Sequence, residues 1–249
     1  MTTELFRSSD FNRDSASTTA TFDFANVMSG APQLRKLEGS GNGLNGQDKL
    51  DFSDRSLFLC ADDKSAKPKD PNEDIHAKAG YKAFLEGKYG DAETAYKSLL
   101  DVSQKSYGKD SKEVAFAYAL LGETCEKDKR YEDARAYYKK GVEVSSKASG
   151  KDHIETGMLW HNVAQMDHQL KNWKDAAAAY KSAVDILAAE KNGPSSENAR
   201  MNESTKALKG YADVLNQQGD KKGADEQLKR AKEIEKNYLT QPQKGIIYY

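Results

Sequence analysis

The chain has 249 residues, and its 38 lysines and arginines almost balance its 39 aspartates and glutamates. A net charge near −1 excludes a general electrostatic attraction to nucleic acid or to an anionic membrane surface. A mean hydropathy of −0.85 favours thin layers of helices over one thick apolar core.

The sequence indicates a cytoplasmic protein without membrane insertion. Its start, MTTELFRSSDFNRD, has no apolar core of a secretory signal peptide. No apolar run approaches the roughly 18 residues that a membrane helix needs. The two cysteines, Cys60 and Cys125, have no metal-binding spacing, and their scarcity favours a reducing compartment.

Residues 1–73 are predicted to form a disordered tail and linker. Stretches such as LEGSGNGLNGQDK are rich in Gly, Asn and Asp, so little apolar surface offsets the entropy cost of ordering them. Two short apolar segments interrupt this tail, near 22–27 and near 57–60. Each is read either as incidental or as a segment that docks on a partner or in the protein's own groove.

From Asp74 onward one phrase recurs three times, as KYGDAETAYKSL, RYEDARAYYKKG and NWKDAAAAYKSA. Its central alanines are Ala92, Ala134 and Ala176, which are 42 residues apart, and the flanking aromatic residues keep the same register. A fixed period of roughly 20 to 50 residues is typical of a solenoid built from stacked units. Apolar residues at helical spacing predict two helices in each period.

Four repeats are expected in chain order, at about 74–114, 115–156, 157–194 and 195–238, followed by a C-terminal extension at 239–249. The first helix is predicted to begin at Asp74, and the second helix of the third repeat to reach about Lys191. The break KNGPSSEN follows, with Ser195 or Ser196 as an N-cap for the next helix. The fourth repeat lacks the aromatic frame and is predicted to be the capping repeat.

The phrase resembles the tetratricopeptide repeat when the marker alanine is counted as position 20. The matching small, aromatic and tyrosine positions are Gly80, Tyr89 and Tyr96, then Gly122, Tyr131 and Tyr138, then Ala164, Trp173 and Tyr180. The family's usual period is about 34 residues. The longer spacing here is similar to that of kinesin light chains, whose LNNLA helix is echoed by WHNVA at 160–164.

That resemblance implies an all-α fold, a right-handed α-solenoid of stacked helix-turn-helix units with the disordered tail before it. Small residues at positions 8 and 20 would lie where the two helices of a unit cross. The tyrosine at position 24 would fill the space between neighbouring units, so the tyrosines of the phrase are predicted to be core residues.

The resemblance also implies a concave groove lined by the first helix of each unit. Carried over to this chain, the groove residues are Lys78, Tyr81, Phe84, Phe116, Glu123, Lys127, His161, Asn162, Gln165, His168, Lys206 and Lys209, together with Asp74, Leu120, Met158 and Asp213. Asn162 matches the asparagine that can bond a ligand's backbone. The groove is expected to be aromatic at its start and basic at its far end, which suits a peptide with an acidic portion. The alternative for each residue is an ordinary solvated side chain.

No catalytic constellation is apparent. His161 and His168 are seven residues apart, too far for the i, i+4 pair that binds zinc, so polar groove residues are favoured over a metal site. Cys125 occupies a normally buried position and is expected to be a structural thiol. Ala77 and Tyr81 depart from the Lys and Asn of the family's carboxylate clamp. The chain is therefore not expected to be an enzyme or to bind a cofactor or a metal.

The favoured function is a non-enzymatic adaptor that binds a peptide segment of a partner protein in the groove. The second hypothesis is a self-associating structural protein, in which the repeats or the terminal GIIYY contact another copy. The third is an enzyme accessory with a metal at the two histidines.

Overall fold

The computed structural model describes residues 70–189 and 197–240. Within these ranges the ordered secondary structure consists of eight helices. They are α1 (Pro71–Leu85), α2 (Tyr89–Tyr107), α3 (Lys112–Lys127), α4 (Tyr131–Ala148), α5 (Ile154–Gln169), α6 (Trp173–Leu187), α7 (Glu197–Gln217) and α8 (Lys221–Thr240). The predicted disordered tail up to residue 69, its two apolar segments, the serine N-caps and residues 241–249 lie outside the described residues.

Consecutive helices pack in pairs, and the pairs stack in chain order. Hairpin 1 is α1 with α2, hairpin 2 is α3 with α4, hairpin 3 is α5 with α6, and hairpin 4 is α7 with α8. The second helix of each hairpin packs on the first helix of the next. The predicted all-α solenoid of stacked helix-turn-helix units is confirmed.

Each hairpin turns through one residue with a left-handed backbone at the same point of the repeat. These residues are Gly87, Lys129, Lys171 and Gly219, with φ of 72°, 61°, 60° and 85°. The next N–H in each turn donates to the carbonyl five residues earlier, as from Arg130 to Cys125 at 2.8 Å. This is the Schellman arrangement, which ends a helix and satisfies its last carbonyls. The same local geometry therefore reverses the chain four times.

Glycines in the first helix of hairpins 1 and 2 receive the tyrosines of the second helix. A Cβ added to Gly122 would lie 2.6 Å from the ring of Tyr138, and one added to Gly80 would lie 2.5 Å from the ring of Tyr96. Tyr138 is 1% exposed, so its ring has no room to move. The expectation that these tyrosines fill the space between units is wrong here, because each ring lies within its own hairpin.

The third tyrosine does contact the neighbouring hairpin. Ala164 stands where the first two hairpins have glycine, and the ring of Tyr180 lies against Gly210 of α7. A Cβ on Gly210 would be 2.6 Å from the Tyr180 ring. The four marker alanines, Ala92, Ala134, Ala176 and Ala224, are fully buried, as close helix crossing requires.

Two predicted helix boundaries are corrected by the structure. The first helix begins at Pro71, before the expected Asp74, because the Asp70 side chain accepts a hydrogen bond from the Asn72 backbone N–H and proline suits the first helical position. Helix α6 ends at Leu187, before the expected Lys191. Arg200 of α7 donates to the Leu187 carbonyl at 3.1 Å and so caps that end.

Candidate functional site

The first helices of hairpins 1 and 2 bring a group of apolar side chains to the predicted groove face. Tyr81 and Phe116 are each 9% exposed, and Leu120 is 6% exposed. Phe84 is half-buried and packs edge-to-face on Tyr89, with ring centroids 5.9 Å apart. This half of the candidate site is therefore largely hydrophobic.

The remaining candidates of these two hairpins are polar and lie nearer to solvent. Lys78 and Lys127 are exposed, and Glu123 is half-buried. The aromatic character expected for the start of the groove thus has two lysines beside it.

Hairpins 3 and 4 meet through a direct contact between their first helices, α5 and α7. His161 on α5 and Glu203 on α7 form the centre of that contact, with Nδ1 and Oε2 2.9 Å apart. Lys206 lies on the other carboxyl oxygen of Glu203 at 3.1 Å. The Glu203 side chain is 5% exposed, and that of His161 is 3% exposed. This is a buried charged group that links two hairpins.

The surroundings of Glu203 keep its carboxyl ionised. Burial raises the pKa of Glu203, but the hydrogen bond from His161 and the charges of His161 and Lys206 outweigh burial and hold the pKa below its usual value. An ionised carboxylate has no hydrogen to donate, so His161 is the donor in this pair.

His161 differs from its expected role as a residue that contacts a ligand directly. Its ring nitrogen Nε2 lies 3.2 Å from Nε2 of Gln165, one turn further along α5. The ring of Tyr180 closes another side, with centroids 5.9 Å apart. The half-buried Gln165 therefore stands between the buried histidine and the groove face.

The expected basic end of the groove has its charges balanced within the fold. Lys209 pairs with Glu235 of α8 at 2.7 Å. His168, one turn beyond Gln165, pairs with Asp213 of α7 at 3.2 Å and meets the edge of Trp173. The two histidines thus take separate acidic partners. Among the residues that the structure describes, no three His, Cys, Asp or Glu side chains converge as a metal site would require.

Asn162 carries a buried donor that lacks a partner. The residue is 8% exposed, and no hydrogen-bond acceptor for its Nδ2 is found within the described ranges. An unsatisfied buried polar group costs about 1 to 3 kcal/mol, which a ligand's carbonyl oxygen would recover. Asn162 shares a helix face with Gln165, so both amides serve the same part of the site.

Cys125 lies away from this site and is unsuited to nucleophilic chemistry. It is a free thiol with no exposed surface. Burial raises its pKa to about 11, so the thiol stays protonated at neutral pH. This agrees with its expected structural role.

Glu203 is the important residue that sequence reasoning missed. The register for the fourth repeat was taken from Ala224, 48 residues after Ala176, and that register leaves Glu203 outside the groove positions. The signal that could have found it is the spacing of 42 residues between His161 and Glu203, which equals the period of the other repeats.

The comparisons with known proteins agree with this architecture. The sequence model of the tetratricopeptide repeat matches residues 77–147 and 120–189. No curated protein is detectably similar in sequence. Among the helices described, none is both long and apolar enough to span a bilayer.

Two solved structures are similar in fold. BtubC (BKLC) from P. vanneervenii has a TM-score of 0.60 at 18% sequence identity, over 80% of this chain and 80% of that chain. The apo form of RapI has a TM-score of 0.57 at 16% identity, over 76% of this chain and 66% of that chain. At such identities the likeness establishes the fold alone.

Proposed function

The chain is a tetratricopeptide repeat protein, and we propose that it is a non-catalytic adaptor that binds an extended segment of a partner protein along its groove face. The observation that carries the proposal is the unpartnered, buried Nδ2 of Asn162 beside the half-buried amide of Gln165. Side-chain amides in this setting suit the N–H and C=O groups of a peptide backbone. The free thiol of Cys125 fits the cytoplasm as the compartment of this adaptor.

The partner segment would place apolar side chains on hairpins 1 and 2. Tyr81, Phe84 and Phe116 supply aromatic surface there, and aromatic residues are the usual anchors of protein interfaces. The exposed Lys78 and Lys127 favour an acidic residue beside those apolar groups. The acidic portion of the partner thus belongs at the start of the groove, since Lys206 and Lys209 already pair with Glu203 and Glu235.

Peptide selection on the full chain tests this function. Random twelve-residue peptides would be selected against the protein, and the affinity of the best binder measured by fluorescence anisotropy. Asn162→Ala is expected to weaken this peptide about tenfold, the equivalent of one well-placed hydrogen bond. The matched control is Asn216→Ala, because Asn216 is exposed near the end of α7. Selection that yields no binder, or equal affinities for both variants, contradicts the proposal.

Self-association by continued stacking of the repeats is disfavoured by the first face of the array. In the second and third hairpins, Leu121 and Val163 stand at one helix position and are fully buried. The equivalent residue of hairpin 1 is Ala79, which offers another copy little apolar surface, and the neighbouring Lys82 is exposed. Ile75 lies on the same helix face and is 61% exposed, but a second copy that covered this face would also desolvate the Lys82 ammonium. Light scattering over a broad concentration range is expected to give a monomer mass, and a mass that rises with concentration would favour self-association.

A further inference from the structure

A chain of three polar side chains runs from α7 through the buried centre of the α5–α7 contact to the groove face. Glu203 Oε2 is 2.9 Å from His161 Nδ1, and His161 Nε2 is 3.2 Å from Gln165 Nε2. Because ionised Glu203 can only accept, the proton of the neutral imidazole is on Nδ1. The Nε2 atom is then an acceptor, and the NH₂ group of Gln165 must donate to it. The carbonyl oxygen of Gln165 is thereby left for a ligand.

We propose that His161 is a positioning residue that fixes the amide of Gln165, so that Gln165 Oε1 and Asn162 Nδ2 together bind one peptide unit of an extended ligand. The inference rests on the proposed function, since it names what the middle of that groove recognises. The two amides are three residues apart on α5 and therefore share a face. Their free groups are one acceptor and one donor, which complement a backbone N–H and C=O.

The arrangement predicts recognition of backbone rather than side chain at this point. Any residue other than proline offers the same N–H and C=O pair. The middle of the groove should therefore tolerate most residue types, and selectivity would come from the apolar half formed by hairpins 1 and 2.

A second proton on His161 would change what the groove presents. The imidazolium donates from both nitrogens, so Gln165 must turn its amide to offer the carbonyl to Nε2. Its NH₂ group then faces the ligand beside Nδ2 of Asn162, and two donors no longer match one peptide unit. Ligand affinity should therefore fall as the pH is lowered through the titration of His161.

Other titratable groups face the same contact and must be separated from His161. On α7 the ring faces Glu203 and Lys206, and on α6 it faces the phenol of Tyr180. The next turn of α5 adds His168, which pairs with Asp213 at 3.2 Å. Asp213→Asn is the matched control, because it alters a histidine–acid pair between the same two helices but outside the Glu203–His161–Gln165 chain.

The hydrogen-bond chain can be tested in the full-length protein without any partner. Long-range proton–nitrogen NMR correlations at pH 8 are expected to show His161 solely as the Nδ1-protonated tautomer. Glu203→Gln should give a mixture of tautomers, because an amide can accept or donate. A wild-type ring protonated on Nε2 overturns the inference, whatever the groove binds.

Binding measurements test the recognition step, with the selected twelve-residue peptide as the probe. Methylating its backbone nitrogens one at a time should identify one position at which affinity falls about tenfold for the wild type but not for Gln165→Leu. Wild-type and Asp213→Asn affinities should fall about tenfold between pH 8 and pH 5.5. Gln165→Glu should lose that fall, because a carboxylate presents an oxygen to the ligand in either orientation.

These outcomes separate the inference from the proposed function. If no peptide is selected, the adaptor function fails, while the tautomer of His161 still decides the hydrogen-bond chain. If a peptide binds but no single methylation weakens it, the backbone-binding pair is wrong. If Gln165→Glu keeps the wild-type pH profile, His161 does not set the orientation of the amide.

Discussion

Arg135 of α4 and Asp167 of α5 form an ion pair across the junction of hairpins 2 and 3, with Nε and Oδ1 2.8 Å apart. Asp167 is 1% exposed and also accepts a hydrogen bond from Asn172 at 3.2 Å. Burying a carboxylate is costly unless a cation and hydrogen bonds compensate it. The junction therefore depends on one arginine that reaches from the preceding hairpin.

Arg135→Met should destabilise the protein by about 3 kcal/mol, because it leaves the buried carboxylate of Asp167 without a cation. Chemical denaturation followed by circular dichroism measures the loss. The matched control is Lys181→Met, which removes an exposed pair with Asp185 and should cost less than about 0.5 kcal/mol. Equal losses for the two variants would show that the junction does not depend on Arg135.

Gly122→Ala should destabilise the protein by about 1 to 3 kcal/mol, despite alanine's higher helix propensity, because the new Cβ would lie 2.6 Å from the Tyr138 ring. Thermal unfolding measures the effect. Gly90→Ala is the control, since no atom lies within 4 Å of its added Cβ, and it should be neutral or stabilising. Replacing Tyr138 by leucine in the Gly122→Ala background should recover part of the loss, and a lack of recovery would exclude the steric explanation.

Lys129→Gly should stabilise the protein by about 0.5 to 1 kcal/mol. Lys129 has φ of 61°, where a Cβ is strained, and hairpins 1 and 4 place Gly87 and Gly219 at the same point. The gain exceeds the extra entropy that glycine adds to the unfolded chain. Denaturant midpoints measure the change. Lys139→Gly, at an exposed site inside α4, should instead cost about 1 kcal/mol, and the same sign for both variants would refute the backbone argument.

Glu155, at the start of α5, should make stability depend on pH near neutrality. Burial raises the pKa of this carboxyl to about 7, although the Ser149 hydroxyl donates to Oε2 at 3.0 Å and Lys112 opposes the shift, while Glu113 adds to it. The folded protein thus holds a proton that the unfolded chain releases near pH 4.3. Stability is therefore lost as the pH rises from about 4.3 to 7, by about 3 kcal/mol in total.

Glu155→Gln should remove this loss, so that its advantage over the wild type grows between pH 5 and pH 8. Urea unfolding at a series of pH values measures it. Ser149→Ala should extend the wild-type loss to higher pH, because the hydroxyl that stabilises the charged carboxylate is gone. Parallel pH profiles for the wild type and Glu155→Gln would mean that Glu155 does not titrate as stated.

The sequence alone determined the stacked helical hairpins, because the packing that builds them repeats every 42 residues. Buried alanines such as Ala134 and tyrosines such as Tyr138 are required wherever two helices cross closely, so the same letters recur and can be read directly. The Schellman turn at Lys129 escaped notice, since lysine hides the left-handed position that glycine marks in hairpins 1 and 4.

The tertiary structure decided which polar side chains serve the groove and which hold the hairpins together. His161 and Gln165 occupy the same helix face, and helical periodicity cannot distinguish a side chain that meets a ligand from one that meets α7. That choice depends on Glu203, which lies 42 residues away and pairs with His161 only because α7 packs directly on α5. Hydrophobic spacing is a local property of the chain, whereas the partner of a buried charge is fixed only when the hairpins have stacked.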